Sequence, residues 1–136
     1  MRIEGYIEKS DKYWAVSIPL LLIYTQGKSK KNAYEMAKDA IEELVDEKGF
    51  SVDIHPSTSL SFSVGSNNES MLMAFALKQQ RLHHGLSIRE VVANMGLKSP
   101  TAYSRYEKGL VRPSLDKFSE LLCGISGDLE PILKIG

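Results

Sequence analysis

A single cysteine, Cys123, stands among 136 residues. That scarcity excludes an intrachain disulfide framework and a cysteine-rich zinc site, and it fits a reducing compartment. No apolar run approaches the roughly 18 residues that a membrane-spanning helix requires. The N-terminus lacks the basic-then-apolar layout of a signal peptide, because Glu4 and Glu8 fall where the apolar stretch would lie. A cytoplasmic protein is expected. Net charge is lacking too: 17 Lys and Arg balance 17 Asp and Glu. This balance argues against a nonspecific polycationic nucleic-acid binder and against an acidic tail protein. Gly-rich phosphate loops, nucleophile elbows and zinc-ligand spacings are also missing, so no cofactor and no catalysis are expected.

What is present is a soluble composition, 43% hydrophobic and 25% charged, long enough for one ordinary domain or two small ones. The neutral total conceals an asymmetry. Residues 1–65 hold eight basic against ten acidic side chains. Residues 78–112 hold seven basic (Lys78, Arg81, Arg89, Lys98, Arg105, Lys108, Arg112) against two acidic (Glu90, Glu107). One segment therefore carries a net charge of +5, which points to a polyanion-binding surface.

The first half alternates with the period of a sheet. Ile3, Gly5 and Ile7 share one face of a first strand, and Ser10-Asp11-Lys12 supplies a turn. Trp14, Val16 and Ile18 form a second set, which Pro19 ends. Leu20 to Thr25 predict a third strand, closed by Gln26-Gly27-Lys28. From Ser29 to Asp46 the period changes to that of a helix, with Ala33, Met36, Ala37, Ala40 and Leu44 as its buried stripe. Glu35, Asp39, Glu42, Glu43 and Asp46 make an outer face, read as solvated, with a partner contact as the alternative. Gly49 is placed to stop this helix. Phe50, Val52 and Ile54 alternate again, His55-Pro56-Ser57 interrupts, and Leu60, Phe62 and Val64 predict a last strand. The expected class is α+β: a βββαβ domain with one further strand over residues 1–64, a linker at 65–70, and an all-α domain over 71–136.

The second half is helical in short pieces. Leu72, Phe75, Ala76, Gln79 and Leu82 define one face of a helix reaching His84, with Gly85 as its stop. Ser87-Ile88-Arg89-Glu90 is a capping box that opens a second helix, with Val91, Val92 and Met95 inward and Gly96 at its end. Ser99-Pro100 begins a third, with Ser as N-cap and Pro at the first helical position. Gly109 ends it. Pro113-Ser114 opens a fourth, whose stripe is Leu115, Phe118, Leu122 and Ile125. Two short helices, Ser87–Met95 and Ser99–Lys108, joined by Gly96-Leu97-Lys98, make a helix-turn-helix within Ser70–Ile125. In this motif the second helix lies in the major groove of DNA. Tyr103 and Tyr106 then face the core. Thr101, Arg105 and Lys108 fall on the opposite side, with Ser104 beside them. Arg105 is the candidate for base readout, since a guanidinium pairs bidentately with guanine. Lys98, Lys108 and Arg89 are assigned to phosphates, as are the amides after Ser99.

Arg81-Leu82, Gly85-Leu86-Ser87-Ile88-Arg89-Glu90, Met95-Gly96, Ser104 to Gly109 and Arg112 to Leu115 together resemble the phage-repressor (Xre/Cro) helix-turn-helix. Ile88 and Pro100 stand where that family often carries glutamines, and the turn is one residue longer than usual. Gly96-Leu97-Lys98-Ser99-Pro100-Thr101-Ala102-Tyr103-Ser104-Arg105-Tyr106-Glu107 is similar to the C-terminal domain of HicB-type antitoxins. Tyr13-Trp14, Ile18-Pro19, Thr25-Gln26-Gly27 and the helix Ala33–Leu44 resemble that family's N-terminal domain, with a departure at Leu20-Leu21-Leu22. The resemblance implies an incomplete RNase H-like N-terminal domain that blocks a small HicA-like ribonuclease toxin. It also implies a dimeric, or higher-order, C-terminal domain that binds operator double-stranded DNA and represses its own operon. A stand-alone repressor with a ligand-sensing or oligomerising N-terminal domain is the alternative. A nuclease would need carboxylates converging on a metal, and Glu4, Glu8, Asp11 and Asp39 read instead as solvated faces.

Several residues are left open by the sequence. Tyr13 and Trp14 are candidate toxin contacts, although Trp14 shares its strand face with Val16 and Ile18 and so also reads as core. His83 and His84 are adjacent on a helix and point apart, which disfavours a shared metal. Cys123 lies near the apolar stripe of the fourth helix and reads as a buried, inert thiol. Ile132 to Ile135 could form a dimer-closing strand or merely pack.

Overall fold

Alternating apolar residues lay down the strands of the N-terminal half. In the computed structural model, which describes residues 1–128, the chain divides into two units between Asn68 and Glu69. The expectation for Ile132 to Ile135 lies outside the described residues. The first unit runs β1 (Ile3–Ser10), β2 (Tyr13–Ile18), a 3-10 turn (Pro19–Leu21), β3 (Ile23–Gly27), α1 (Lys30–Val45), β4 (Val52–Pro56) and β5 (Ser61–Ser66). The strands form one antiparallel sheet in the order β3-β2-β1-β5-β4, so β3 and β4 are its edges. Register follows the apolar alternation: Ile7 opposes Val16, Ile18 opposes Ile23, and Ile3 opposes Val64. One face therefore buries Ile3, Ile7, Val16, Ile18, Ile23, Val52, Phe62 and Val64, and α1 covers it with Ala33, Ala37 and Ile41.

Two glycines permit this packing. A Cβ on Gly5 would strike the Phe62 ring at 2.4 Å, and one on Gly27 would strike the Ala33 backbone nitrogen at 2.4 Å. Gly27 thus lets the first turn of α1 rest on β3. Tyr34 closes over the same core, edge-on to Phe62 with ring centroids 5.3 Å apart.

Several expected details of this unit are corrected. Pro19, Leu20 and Leu21 form a 3-10 turn rather than the start of a strand; Leu22 takes a left-handed conformation (φ 55°) and donates to the Pro19 carbonyl at 3.1 Å. Leu20 and Leu21 are buried, so that apolar run is a core plug. On α1 the buried stripe is Ala33, Ala37 and Ile41, while Met36 and Leu44 are exposed. Close approach to β3 selects the small side chains and turns the helix away from the Met36–Leu44 side. Glu42 leaves the expected solvated face: its carboxylate accepts from Val52 N at 2.8 Å and from Lys38 Nζ at 2.6 Å. Burial alone would raise its pKa, but these two hydrogen bonds and the Lys38 charge hold it below the ordinary carboxylate value. The helix ends at Asp46, left-handed at φ 49°, before Gly49 is reached. Phe50 precedes β4, and Leu60 is exposed ahead of β5.

The second unit contains α2 (Glu69–His83), α3 (Ile88–Asn94), α4 (Thr101–Glu107) and α5 (Leu115–Ile125). Gly65 and Ser66 belong to β5 and Glu69 to α2, leaving Asn67 and Asn68 between elements. Leu72, Leu77, Val91, Tyr103, Phe118, Leu121 and Leu122 are fully buried and form its core. Asn94 Nδ2 donates to the Gly124 carbonyl at 3.1 Å, joining α3 to α5. A Cβ on Gly124 would meet Met95 Cγ at 2.5 Å, so the two helices touch there. Leu82 and Leu115, expected inside, are exposed, and Gln80 and Leu121 are buried in their stead. Cys123 is exposed rather than buried; its neighbours Leu121, Leu122, Gly124 and Ile125 take the inward side of α5.

Candidate nucleic-acid interface

The first turn of α3 is held by a complete capping box. Ser87 Oγ accepts from Glu90 N at 3.1 Å and Glu90 Oε1 accepts from Ser87 N at 3.1 Å. With its amides satisfied in this way, the turn leaves Arg89 exposed. After Asn94 the chain reverses at Gly96, whose left-handed φ of 71° a side chain would resist. The α4 helix then starts at Thr101, with Pro100 at its N-cap and Ser104 N donating to the Pro100 carbonyl at 2.9 Å. Ser99 lies one residue outside, where its hydroxyl accepts from Thr101 N at 3.3 Å and bonds Thr101 Oγ1 at 3.1 Å. That hydroxyl is therefore occupied in starting the helix.

Thr101, Ser104, Arg105 and Lys108 share one side of α4. Together with Arg89 from α3 they line a concavity of about 440 Å³, walled by Ile88, Pro100 and Leu110. Five of the seven expected DNA-binding residues thus meet at one surface. Lys98 and Ser99 sit apart from it, exposed in the turn before α4. Among the described residues, Arg89, Lys98, Arg105 and Lys108 form no ion pair, whereas Arg112 is paired with Glu69 at 2.7 Å.

Arg81 is not a surface cation at all. Its Nε donates to both Glu107 carboxylate oxygens at 3.0 Å, its Nη2 to Glu107 Oε1 at 2.7 Å, and its Nη1 to the Leu86 carbonyl at 2.8 Å. The two side chains are only 12% and 6% exposed. This fork fixes the end of α4 against α2 and against the loop leading into α3. The hydrogen bonds to Glu107 raise the Arg81 pKa further. Tyr103, on the inner side of α4, is buried beside the pair, and its hydroxyl makes no hydrogen bond of good geometry. Burial, together with the Glu107 charge, drives its pKa strongly upward. Tyr106 is half-buried. The pair has a trace in the sequence: Glu107 is one of two acids in a basic segment and follows the buried Tyr103 by four residues, one helical turn.

Tyr13 and Trp14, as successive strand residues, point to opposite faces of the sheet. Tyr13 is exposed at the end of the β1–β2 hairpin. Trp14 is half-buried on the α1 side, where Lys30 Nζ stands 5.1 Å from the ring centroid while donating to the Ser59 carbonyl at 3.0 Å. The two do not form one contact site. His83 and His84 lie with ring centroids 5.4 Å apart, and His84 Nδ1 bonds the Gln80 carbonyl at 2.8 Å.

Residues 77–130 match a helix-turn-helix family. The second unit is thus an Xre-like helix-turn-helix domain, and the chain carries the DNA-binding portion of a transcriptional regulator. No curated protein and no solved structure matches the chain. No helix among the described residues is long and apolar enough to cross a membrane.

Proposed function

We propose that this protein is a HicB-type antitoxin, which represses its own operon through the second unit and neutralises a HicA-like ribonuclease through the first. The observation that carries the DNA-binding half is the set of four unpaired cations around α4 and its approaches, held in place by the buried Arg81–Glu107 fork. In this reading α4 enters the major groove. Thr101, Ser104 and Arg105 address base edges, while Arg89, Lys98 and Lys108 hold phosphates. The amide contact expected after Ser99 is not part of this reading, because Pro100 has no N–H and the Thr101 amide donates to Ser99 Oγ. A dimer would present two such helices to a two-fold operator. Support for the antitoxin half comes from the Gly96–Glu107 motif and from three antiparallel strands followed by a helix on one sheet face. That element order is what an incomplete, catalytically inert RNase H-like domain would retain.

Two measurements test the halves separately. Arg105→Ala is expected to weaken operator binding by about 1–3 kcal/mol and to relax preference at one base pair. Unchanged affinity in a fluorescence-anisotropy titration would show that α4 presents a different side. Co-expression with a small basic protein encoded by a neighbouring reading frame is expected to yield a complex and to relieve toxicity. If neither occurs, the antitoxin role is wrong and the chain is a stand-alone repressor.

A further inference from the structure

We propose that the uncovered face of the N-terminal sheet docks a cationic polypeptide, with arginine or lysine side chains stacking on Tyr6 and Tyr24 and pairing with Glu4 and Glu8. This deepens, and rests on, the reading of the first unit as a partner-binding domain. Because α1 covers one face only, strand alternation leaves Glu4, Tyr6 and Glu8 of β1, Ala15 and Ser17 of β2, and Tyr24 and Gln26 of β3 on the other. Register lines them up in rows: Tyr6 opposes Ser17, which opposes Tyr24, and Glu8 opposes Ala15, which opposes Gln26. Small residues on the middle strand leave a trough of about 800 Å³ between the two tyrosines, with Leu60 on its rim. Tyr6 is 39% and Tyr24 65% exposed. Two strand spacings set their backbones about 10 Å apart, room for one planar group between the rings.

The charge on this face selects the occupant. No basic side chain lines the trough. Arg2, on the same face, is taken up by Asp53 at 2.7 Å, which also receives His55 at 3.1 Å. Glu4 and Glu8 form no ion pair among the described residues. An aromatic flanked by two free carboxylates attracts a guanidinium or ammonium, through the negative ring face and through charge-assisted hydrogen bonds. The same carboxylates repel nucleic acid, and they would oppose their own equivalents if a second copy docked face to face.

The test uses the full chain with isotope-labelled tyrosine rings. The probe is the peptide acetyl-(Arg-Thr)3-amide, with acetyl-(Glu-Thr)3-amide as the control. The arginine peptide is expected to shift the Tyr6 and Tyr24 ring resonances saturably, and the control to leave them in place. Tyr24→Ala and Glu8→Gln should each weaken the arginine peptide about 3- to 10-fold, with far-UV circular dichroism unchanged. Glu43→Gln, on the exposed side of α1, should not weaken it. Shifts confined to α1, equal weakening by Glu43→Gln, or no saturable shift would overturn the assignment. So would ring shifts caused by a short RNA, or self-association abolished by Tyr24→Ala. If a basic partner co-purifies with the Glu8→Gln and Tyr24→Ala variants as well as with the parent chain, the partner reading stands and this face is the wrong one. If the peptide binds as described but no partner co-purifies, the docking face stands and the antitoxin reading falls alone.

Discussion

The Tyr103 hydroxyl is buried with no hydrogen bond of good geometry, beside the Glu107 carboxylate already engaged by Arg81. Leaving a buried donor unmade costs about 1–3 kcal/mol, so Tyr103→Phe is expected to leave unfolding free energy unchanged or to raise it by about 1 kcal/mol. A clear loss in urea denaturation would reveal a bond to Glu107 instead. The sign with pH is definite. The Tyr103 pKa is raised in the folded state from an ordinary value of 10.0, so the folded protein holds this proton more tightly than the unfolded chain. The associated stability is complete below pH 10 and declines as pH rises beyond it. Tyr103→Phe should therefore flatten the alkaline loss of stability. Arg81 behaves oppositely under mutation. Removing either member of its fork strands a buried charge, and Glu107→Gln should cost about 3–5 kcal/mol. The double change Arg81→Met with Glu107→Leu should recover most of that in the same denaturation assay. Sequence placed Arg81 in a basic segment by counting charges. Counting cannot distinguish a cation facing solvent from one folded inward onto an acid 26 residues away.

Elements whose ends carry their own chemistry were legible. Ser87 and Ser114, where helices were expected to open, each accept from a backbone amide three residues on, a local bond written in four consecutive residues. Ser29 does the same unread, and the cap expected at Ser99 falls to Pro100. Helix rotation was not legible in the same way. The α1 stripe depends on how closely β3 approaches, which is a property of Gly27 on another element. Gly27→Ala would drive a Cβ into helix backbone that has no rotamer to yield. It is expected to destabilise the first unit by about 1–3 kcal/mol, the usual range for overpacking. Gly49→Ala meets open space and should cost only the penalty of its positive φ, about 1–2 kcal/mol, with no clash added. A thermal melt followed at the tyrosine and tryptophan bands would separate the two. Glu42 adds an acid limb. Its depressed folded pKa gives stability that is present above the ordinary carboxylate value of 4.5 and lost as pH falls through the lower folded value. Glu42→Gln should make that limb shallower. On α5 the stripe was read with Leu115 in place of Leu121, because periodicity alone allows the face to slide by one residue near a cap.

Across the whole molecule, basic charge is gathered in the segment 78–112 rather than spread over a unit. Of the seven cations in the basic segment, Arg81 is buried on Glu107 and Arg112 pairs with Glu69, Lys78 stands exposed on α2, and the other four lie on or beside α3 and α4. Binding to DNA should therefore weaken steeply with salt. Lys108→Gln should reduce the slope of log K against log salt by about one while leaving sequence preference intact. A change in preference would move Lys108 from phosphate to base contact. The two-unit plan and the helix-turn-helix were both visible as a change of period near residue 68 and as the spacing of caps and glycines. The open tyrosine face was not, since Tyr6 and Tyr24 become neighbours only through the pairing of three strands.

The edges of the sheet bear on how such a face can be used. Both outer strands, β3 and β4, are only five residues long, and β4 ends in Pro56, which has no N–H to donate to an incoming strand. Short edges of this kind are poor templates for adding further strands, the route by which sheet proteins polymerise into fibres. The sheet can leave an aromatic surface bare at high concentration with little risk of edge-to-edge aggregation, and a polypeptide is steered to lie across the strands rather than to extend them.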